Sequence, residues 1–282
     1  MTFSFSTQTR QGAMLRGAVL ILGLALASST VHAQQAAEGG DKAAELAKKL
    51  ANPVASLISV PIKLDWDTGI GSAGADRSVF IIQPVIPFSI GKDWNLITRT
   101  IIPYISAQSP VAGGSKESGL GDTNQSFFFS PKAPTSGGWI WAVGPVMYYP
   151  TASNDVLGTK KWGGGPTALM LKQSHGWTYG ILANQIWSFA GASDRADFST
   201  AFVQPFLSFT TKTYTTFGVN TESTYDWNNH QWTVPINLTV GQLVRFGKQP
   251  VSFTLGARSY VAGPTGKPDW GLRFAVTLLF PK

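Results

Sequence analysis

The feature that most constrains this chain is a period of two in polarity, repeated in short segments up to its last residues. In the final segment Leu272, Phe274, Val276, Leu278 and Phe280 share one face, against Gly271, Arg273, Ala275 and Thr277 on the other. Segment 232–244 sets Trp232, Val234, Ile236, Leu238 and Val240 against Thr233, Asn237, Thr239 and Gly241. Segment 56–66 sets Ile58, Val60, Ile62, Leu64 and Trp66 against Ser59, Lys63 and Asp65. Period two with one apolar face is a β-strand that meets an apolar medium on one side. Segments of about ten to thirteen residues are long enough to cross a bilayer at a tilt. We read twelve of them, at 56–66, 78–89, 94–105, 120–130, 139–150, 162–172, 177–189, 198–210, 214–226, 232–244, 250–260 and 270–280. Beyond residue 33 no run reaches the length of about 18 apolar residues that a spanning helix needs, and lipid admits only helices and closed barrels. The expected fold is all-β: a transmembrane antiparallel up-and-down β-barrel of about 12 strands over 54–282, an even count as in single-chain bacterial barrels.

The connectors agree with this count. Every second one is short (91–93, 131–138, 173–176, 211–213 and 246–249). The others (67–77, 106–119, 151–161, 190–197 and 261–269) are mostly longer and rich in Gly, Ser, Asn and Asp; 227–231 is the brief exception. Short turns on one rim and longer loops on the other place the short turns in the periplasm. Lys92, Lys132, Lys172, Lys212 and Lys248 all fall at or beside the short turns, the first four 40 residues apart, as a repeated hairpin requires. Nine of the ten tryptophans lie at or near a segment end, where amphipathic rings form the interfacial girdles of a barrel. Eight prolines inside the segments (Pro61, Pro84, Pro87, Pro103, Pro145, Pro166, Pro205 and Pro235) predict bulges or bends, since proline cannot donate to a ladder.

The N-terminus reads as an address. Arg10 and Arg16 precede the apolar run 17–27, and Val31-His32-Ala33 forms an A-x-A-like cleavage site before Gln34. We assign 1–33 as a signal peptide. Residues 34–53 form a separate segment, a periplasmic helix or a plug, with strong helix formers around Leu46 and Leu50 and a stop at Pro53. The expected location is the bacterial outer membrane. Partners are its lipid, a small-molecule solute and, during biogenesis, the barrel-assembly machinery that reads a C-terminal aromatic such as Phe280.

Several function classes drop out. With no cysteine there is no disulfide, thiolate metal site or cysteine nucleophile. The net charge of +7 comes from lysines and arginines scattered over the chain, not from the patch or stripe that nucleic acid requires. Gly163-Gly164-Gly165 has no following Lys-Ser/Thr and no helix, so it is not a phosphate loop. His175 and His230 stand apart and make no metal cluster, and no cofactor is expected.

Particular stretches carry a family likeness. They are Glu45-Leu-Ala-Lys-Lys-Leu-Ala-Asn-Pro-Val-Ala-Ser-Leu-Ile-Ser-Val-Pro61, Ile82-Gln-Pro-Val-Ile-Pro87, Trp94-Asn-Leu-Ile-Thr-Arg-Thr100, Gly119-Leu-Gly-Asp122, Gln125-Ser-Phe-Phe-Phe-Ser-Pro-Lys132 and Asn220-Thr-Glu-Ser-Thr-Tyr-Asp226. With these the chain resembles the outer-membrane transporter-like family known as "MetA-pathway of phenol degradation". The resemblance implies an outer-membrane barrel with a role in uptake of small, aromatic compounds, and it supplies no catalytic residues.

Charges inside strands must point into the lumen, because Arg or Lys facing lipid costs about 2–4 kcal/mol at mid-depth. That nominates Lys63, Asp65, Arg99, Asp122, Glu222, Asp226, Arg258 and Arg273, with Gln83, Asn124, Gln204 and Asn220 as neutral companions. They either line a permeation path or pair with one another and fill the barrel. Arg258 and Arg273 are expected as near neighbours on consecutive strands, and Glu222 and Asp226 on one face of a third. Two alternatives to a channel for small solutes stand beside it. One is a lipid-modifying enzyme, in which His230 would activate Ser223; the other is a non-conducting receptor or scaffold. The chain is read as no enzyme. N-terminal mass spectrometry of outer-membrane fractions should find Gln34 first; a membrane-inserted protein retaining residues 17–27 would sink the leader assignment.

Overall fold

A computed structural model describes residues 36–281, with side chains from Lys42 onward. The leader assigned to 1–33 and the new terminus at Gln34 lie outside the described residues. Fifteen hydrogen-bonded segments form one antiparallel sheet that closes on itself. Three strands are each interrupted once, so the segments make twelve spanning strands. They are Ile58–Ile70, Ala75–Ile82 continued by Val85–Ile90, Trp94–Ala107, Glu117–Leu120 continued by Thr123–Pro131, Trp139–Tyr149 and Lys161–Ser174. Then follow Trp177–Gly191, Ser199–Thr210, Thr215–Thr221 continued by Ser223–Asp226, Gln231–Phe246, Gln249–Ala262 and Trp270–Phe280. Closure is made by the first and last strands, paired from Ile58 opposite Phe280 to Thr68 opposite Trp270.

Many strands run further than the polarity pattern shows, chiefly toward the long-loop rim. The expected loop 67–77 is mostly ladder, with a turn only at 71–74. On the other rim His175 and Gly176 form a two-residue turn with φ of 49° and 83°, the left-handed pair a tight hairpin needs. The prolines fall into two groups. Pro84 sits in the gap between two segments, and the register shifts between Val234 and Pro235, as bulges require. Pro61, Pro103 and Pro205 instead keep register, opposite Thr277, Ile81 and Ile181, each at the loss of one donor.

The outer surface is apolar at mid-height. Leu64, Ile82, Ile102, Met170, Ile181, Leu207, Leu238, Leu255 and Phe274 are all exposed. In water such a belt would drive aggregation; in a bilayer it is the solvent-matched face. Aromatic pairs bound it at both rims. Trp94–Trp141, Trp139–Tyr179 and Trp177–Phe209 lie toward the short turns, and Trp66–Trp270, Tyr149–Trp162 and Tyr225–Trp227 toward the long loops, with ring centroids 4.7–5.9 Å apart. Amphipathic rings settle at headgroup level. The protein is a membrane-spanning barrel of the outer-membrane type.

The helix Ala36–Leu50 is drawn into the barrel's short-turn end. Glu45 and Lys49 pair at 2.7 Å one turn apart, and Lys48 and Lys49 sit in the last turn, where cations oppose the helix dipole. The face carrying Leu46 and Ala47 is buried with Ala55 and Leu57 against Leu243 and Leu279, two strand residues close to the short-turn rim. Gln173, beside another short turn, donates to the carbonyl of Lys48 at 2.9 Å. Val54 goes deeper, into a lumen cluster of Val85, Ile97, Phe128, Ala142, Leu169, Leu171 and Leu182. Each large aliphatic buried here contributes about 1.5–3 kcal/mol, enough together to hold the segment in place.

Single cysteines test orientation. Lys116→Cys and Val156→Cys, on the longer loops, should react with an impermeant maleimide on intact cells. Lys92→Cys and Lys212→Cys should react only after lysis, and the reverse pattern would invert the barrel.

Candidate functional site: a charged wall and two cavities in series

Lumen-facing polar groups gather on one side of the wall. Register explains how. Asp65 lies directly opposite Arg273, and Arg258 opposite Asn237, in neighbouring strand pairs. Arg273 grips Asp65 with Nε and Nη2 at 2.6 and 2.8 Å, and Glu222 with Nη1 and Nη2, both at 2.9 Å. Arg258 Nη2 donates to both carboxylates at 3.2 Å, and its Nε to Asn237 Oδ1 at 2.7 Å. Asn237 in turn donates to Asn220 at 3.0 Å. The chain of contacts continues outward. Tyr260 donates to Asp67 at 3.1 Å, and Arg77 Nη2 to Asp67 at 2.8 Å. Six consecutive strands are tied together across the lumen face. Gly271 makes room: a Cβ there would stand 2.5 Å from both Asp67 Oδ1 and the Trp66 carbonyl oxygen.

Thus Asp65, Glu222, Arg258 and Arg273 meet, as do Arg258 and Arg273 in the neighbourly sense expected of them. Asp67, Arg77 and Tyr260 belong to the same cluster and were missed. Period two alone puts Asp67 on the face of Lys63 and Asp65, and Tyr260 on that of Arg258; ending one strand at 66 and starting the next at 78 hid Asp67 and Arg77, and Tyr260, inside segment 250–260, carries no charge to single it out.

Two expected lumen residues do other work. Asp226 does not share a site with Glu222. The strand is broken at Glu222, and Asp226 stands at the outer rim, where Oδ1 accepts the amides of Asn228 and Asn229 and Oδ2 the Asn229 side chain at 2.7 Å. It shapes a turn. Asp122 is buried and accepts the amides of Ala152 and Thr159, at 3.0 and 2.6 Å, and the Thr159 hydroxyl. It pins the loop 150–160 over the mouth, in place of lining a path.

Lys63, Arg99, Asn124 and Asn220 line open space. A cavity of about 270 Å³ is bordered by Lys63, Gln83, Arg99, Gln204, Asn220, Glu222 and Arg273, and closed on the short-turn side by Leu50, Asn52 and Pro53. A second, of about 320 Å³, lies toward the long loops between Arg99, Ile101, Asn124, Tyr148, Asn184, Ile186, Phe198 and Phe202. Arg99 borders both. A third, of about 220 Å³, lies beyond Leu50 and Ala51 and is walled by Ser208, Thr216, Thr239, Ser252, Thr254 and Thr277. The Ser223 hydroxyl is engaged with that of Thr221 at 2.5 Å, while His230 sits in the exposed turn 227–230. This arrangement does not join the pair that the hydrolase alternative needs.

No family model matches the chain, and no curated protein does. Among solved structures it is similar to an outer membrane channel from Pseudomonas putida F1, with TM-score 0.64 and 14% identity over 80% of this chain and 96% of that one. It also matches the β domain of the Bordetella autotransporter BrkA, with TM-score 0.43 and 12% identity over 80% of this chain and 100% of that one. The first match shows the same fold, an outer-membrane β-barrel.

The charged cluster makes a stability prediction. Asp65→Ala removes the shared carboxylate and leaves two buried guanidiniums with only Glu222 and Asp67. Urea unfolding in detergent, followed by tryptophan fluorescence, should show a loss of about 3–5 kcal/mol. A loss under about 1 kcal/mol, the usual value of an exposed pair, would mean that the cluster is solvated and not structural.

Proposed function

We propose that this protein is a channel for small solutes in the bacterial outer membrane, held closed at its periplasmic end by its own residues 46–57. The observation that carries the reading is the series of cavities. One space lies below the long loops and a second below it, with Arg99 on the wall of both; Leu50, Asn52 and Pro53 border the second on the short-turn side, and a further hydroxyl-lined space lies beyond. A barrel that served only as scaffold has no need of voids in series along its lumen, and packing normally leaves few. A twelve-strand lumen, between side-chain-filled eight-strand barrels and open sixteen-strand porins, suits a narrow and blocked passage.

Two further points support a transporter over a lipid-modifying enzyme. The solved barrel of similar fold is named as a channel, and Ser223 and His230 are not assembled. The finer reading, uptake of small aromatic compounds, follows the resemblance to the phenol-degradation barrel family and fits the Tyr148, Phe198 and Phe202 rings around the outer cavity.

Planar-bilayer recordings test this. The refolded chain from Gln34 should show small or infrequent conductance, and deletion of residues 34–52 together with Val54→Ser should raise it. If neither form conducts or admits solutes to liposomes, the channel reading is wrong.

A further inference from the structure

The charged cluster is not balanced. Among the described residues Lys63, Arg77, Arg99, Arg258 and Arg273 gather with Asp65, Asp67 and Glu222, five cations to three carboxylates, while Asp122 is held by the amides of Ala152 and Thr159. The three carboxylates are committed to Arg77, Arg258 and Arg273. Lys63 donates to the neutral Gln83 at 2.8 Å. Arg99 has neither in contact: among the described residues its side chain makes no hydrogen bond or ion pair, Glu222 acts on it only through space, and its Nε is buried with no acceptor. A guanidinium with no group in hydrogen-bond contact in a confined lumen is costly, and the best partner for its planar fork is a carboxylate.

What lies next to Arg99 narrows the partner further. The outer cavity joins this unsatisfied cation at one end to Phe202, Phe198 and Ile186 along its walls, with the amides of Asn124 and Asn184 at the sides. Its 320 Å³ is at the low end of small-molecule pockets, about 300–1,000 Å³. We infer that this cavity binds a small organic monocarboxylate with an apolar body of one ring, its carboxylate on Arg99 and its ring against Phe202 and Phe198. The inference rests on the channel reading and names the solute class of its passage: the anion would dwell at Arg99, which borders both cavities. Lys63, on the far side of Arg99, offers the next cationic stop.

Calorimetric titration of the detergent-solubilised chain with benzoate, benzyl alcohol and acetate tests it. Benzoate should bind at one site about tenfold or more tighter than either the neutral ring or the ringless acid. Arg99→Gln should bring benzoate down to the level of benzyl alcohol, and Arg99→Lys should restore part of the difference. Equal affinity for benzoate and benzyl alcohol, or an Arg99→Gln protein that binds benzoate unchanged, overturns the proposal. Should Arg99→Gln fail to fold, judged by heat-dependent mobility on gels, Phe202→Ala takes its place: it should erase the advantage of benzoate over acetate, and an unchanged advantage overturns the proposal. Titration needs no conduction. Conductance without benzoate binding removes this inference alone, and benzoate binding without conductance removes the channel alone.

Discussion

In hydrocarbon a backbone amide has no water to bond, and each unsatisfied group costs several kcal/mol. Everything in this protein follows from that constraint. The sheet must close, so Trp270–Phe280 returns to pair with Ile58–Ile70 along eleven opposed residue pairs. Closure leaves no edge on which proline is harmless, and the walls carry nine prolines within their strand segments and Pro84 between two of them. It absorbs two of them at a gap and a register shift and holds others in plain ladder. Once the wall is closed, side-chain alternation becomes a sorting of solvents: Leu64, Leu238 and Leu255 meet lipid, and Asp65, Asn237 and Gly256 meet the lumen.

The lumen then faces the opposite problem. It is too narrow to hydrate its charges fully and too wide to be packed by wall residues alone. Two solutions appear in different sectors. On one side carboxylates and guanidiniums satisfy each other across six strands, and removing one partner would strand the rest. On the other, Ile97, Phe128, Leu171 and Leu182 make an apolar core that is completed by Val54, a residue outside the wall. The helix and its connector are thus part of the barrel's interior packing. A segment that fills a lumen by side-chain contacts can leave it at a cost set by those few contacts. A wall strand cannot, because it would abandon a full ladder.

Much of this was legible. Twelve strands, their faces, the two aromatic rims and the alternation of short and long connectors all follow from period two and from turn residues. Lys63, Asp65, Arg99, Glu222, Arg258 and Arg273 stand among the lumen candidates because no other placement of a charge within a lipid-facing wall is cheap. The errors have one physical source. Period two says which way a residue points only while the ladder is unbroken, and it does not say how far the strand extends. The break at Glu222 detached Asp226 from it, and the extension of Ile58–Ile70 past Trp66 turned Asp67 from a loop residue into a buried acceptor. Asp122 lies at a second break, where its oxygens find loop amides in place of lumen.

By itself the amino-acid order determined that this chain is a barrel and which side chains turn inward, since both depend on local periodicity and on the cost of a charge in lipid. Only the tertiary structure decided which inward groups meet. Residues 65, 222, 258 and 273 come together through register and closure, which link positions far apart in the chain by hydrogen bonds that polarity patterns do not encode. The same closure left Arg99 with no carboxylate in contact and placed Val54 in the lumen, because which charges pair and which space remains open depend on where every other strand has already come to rest.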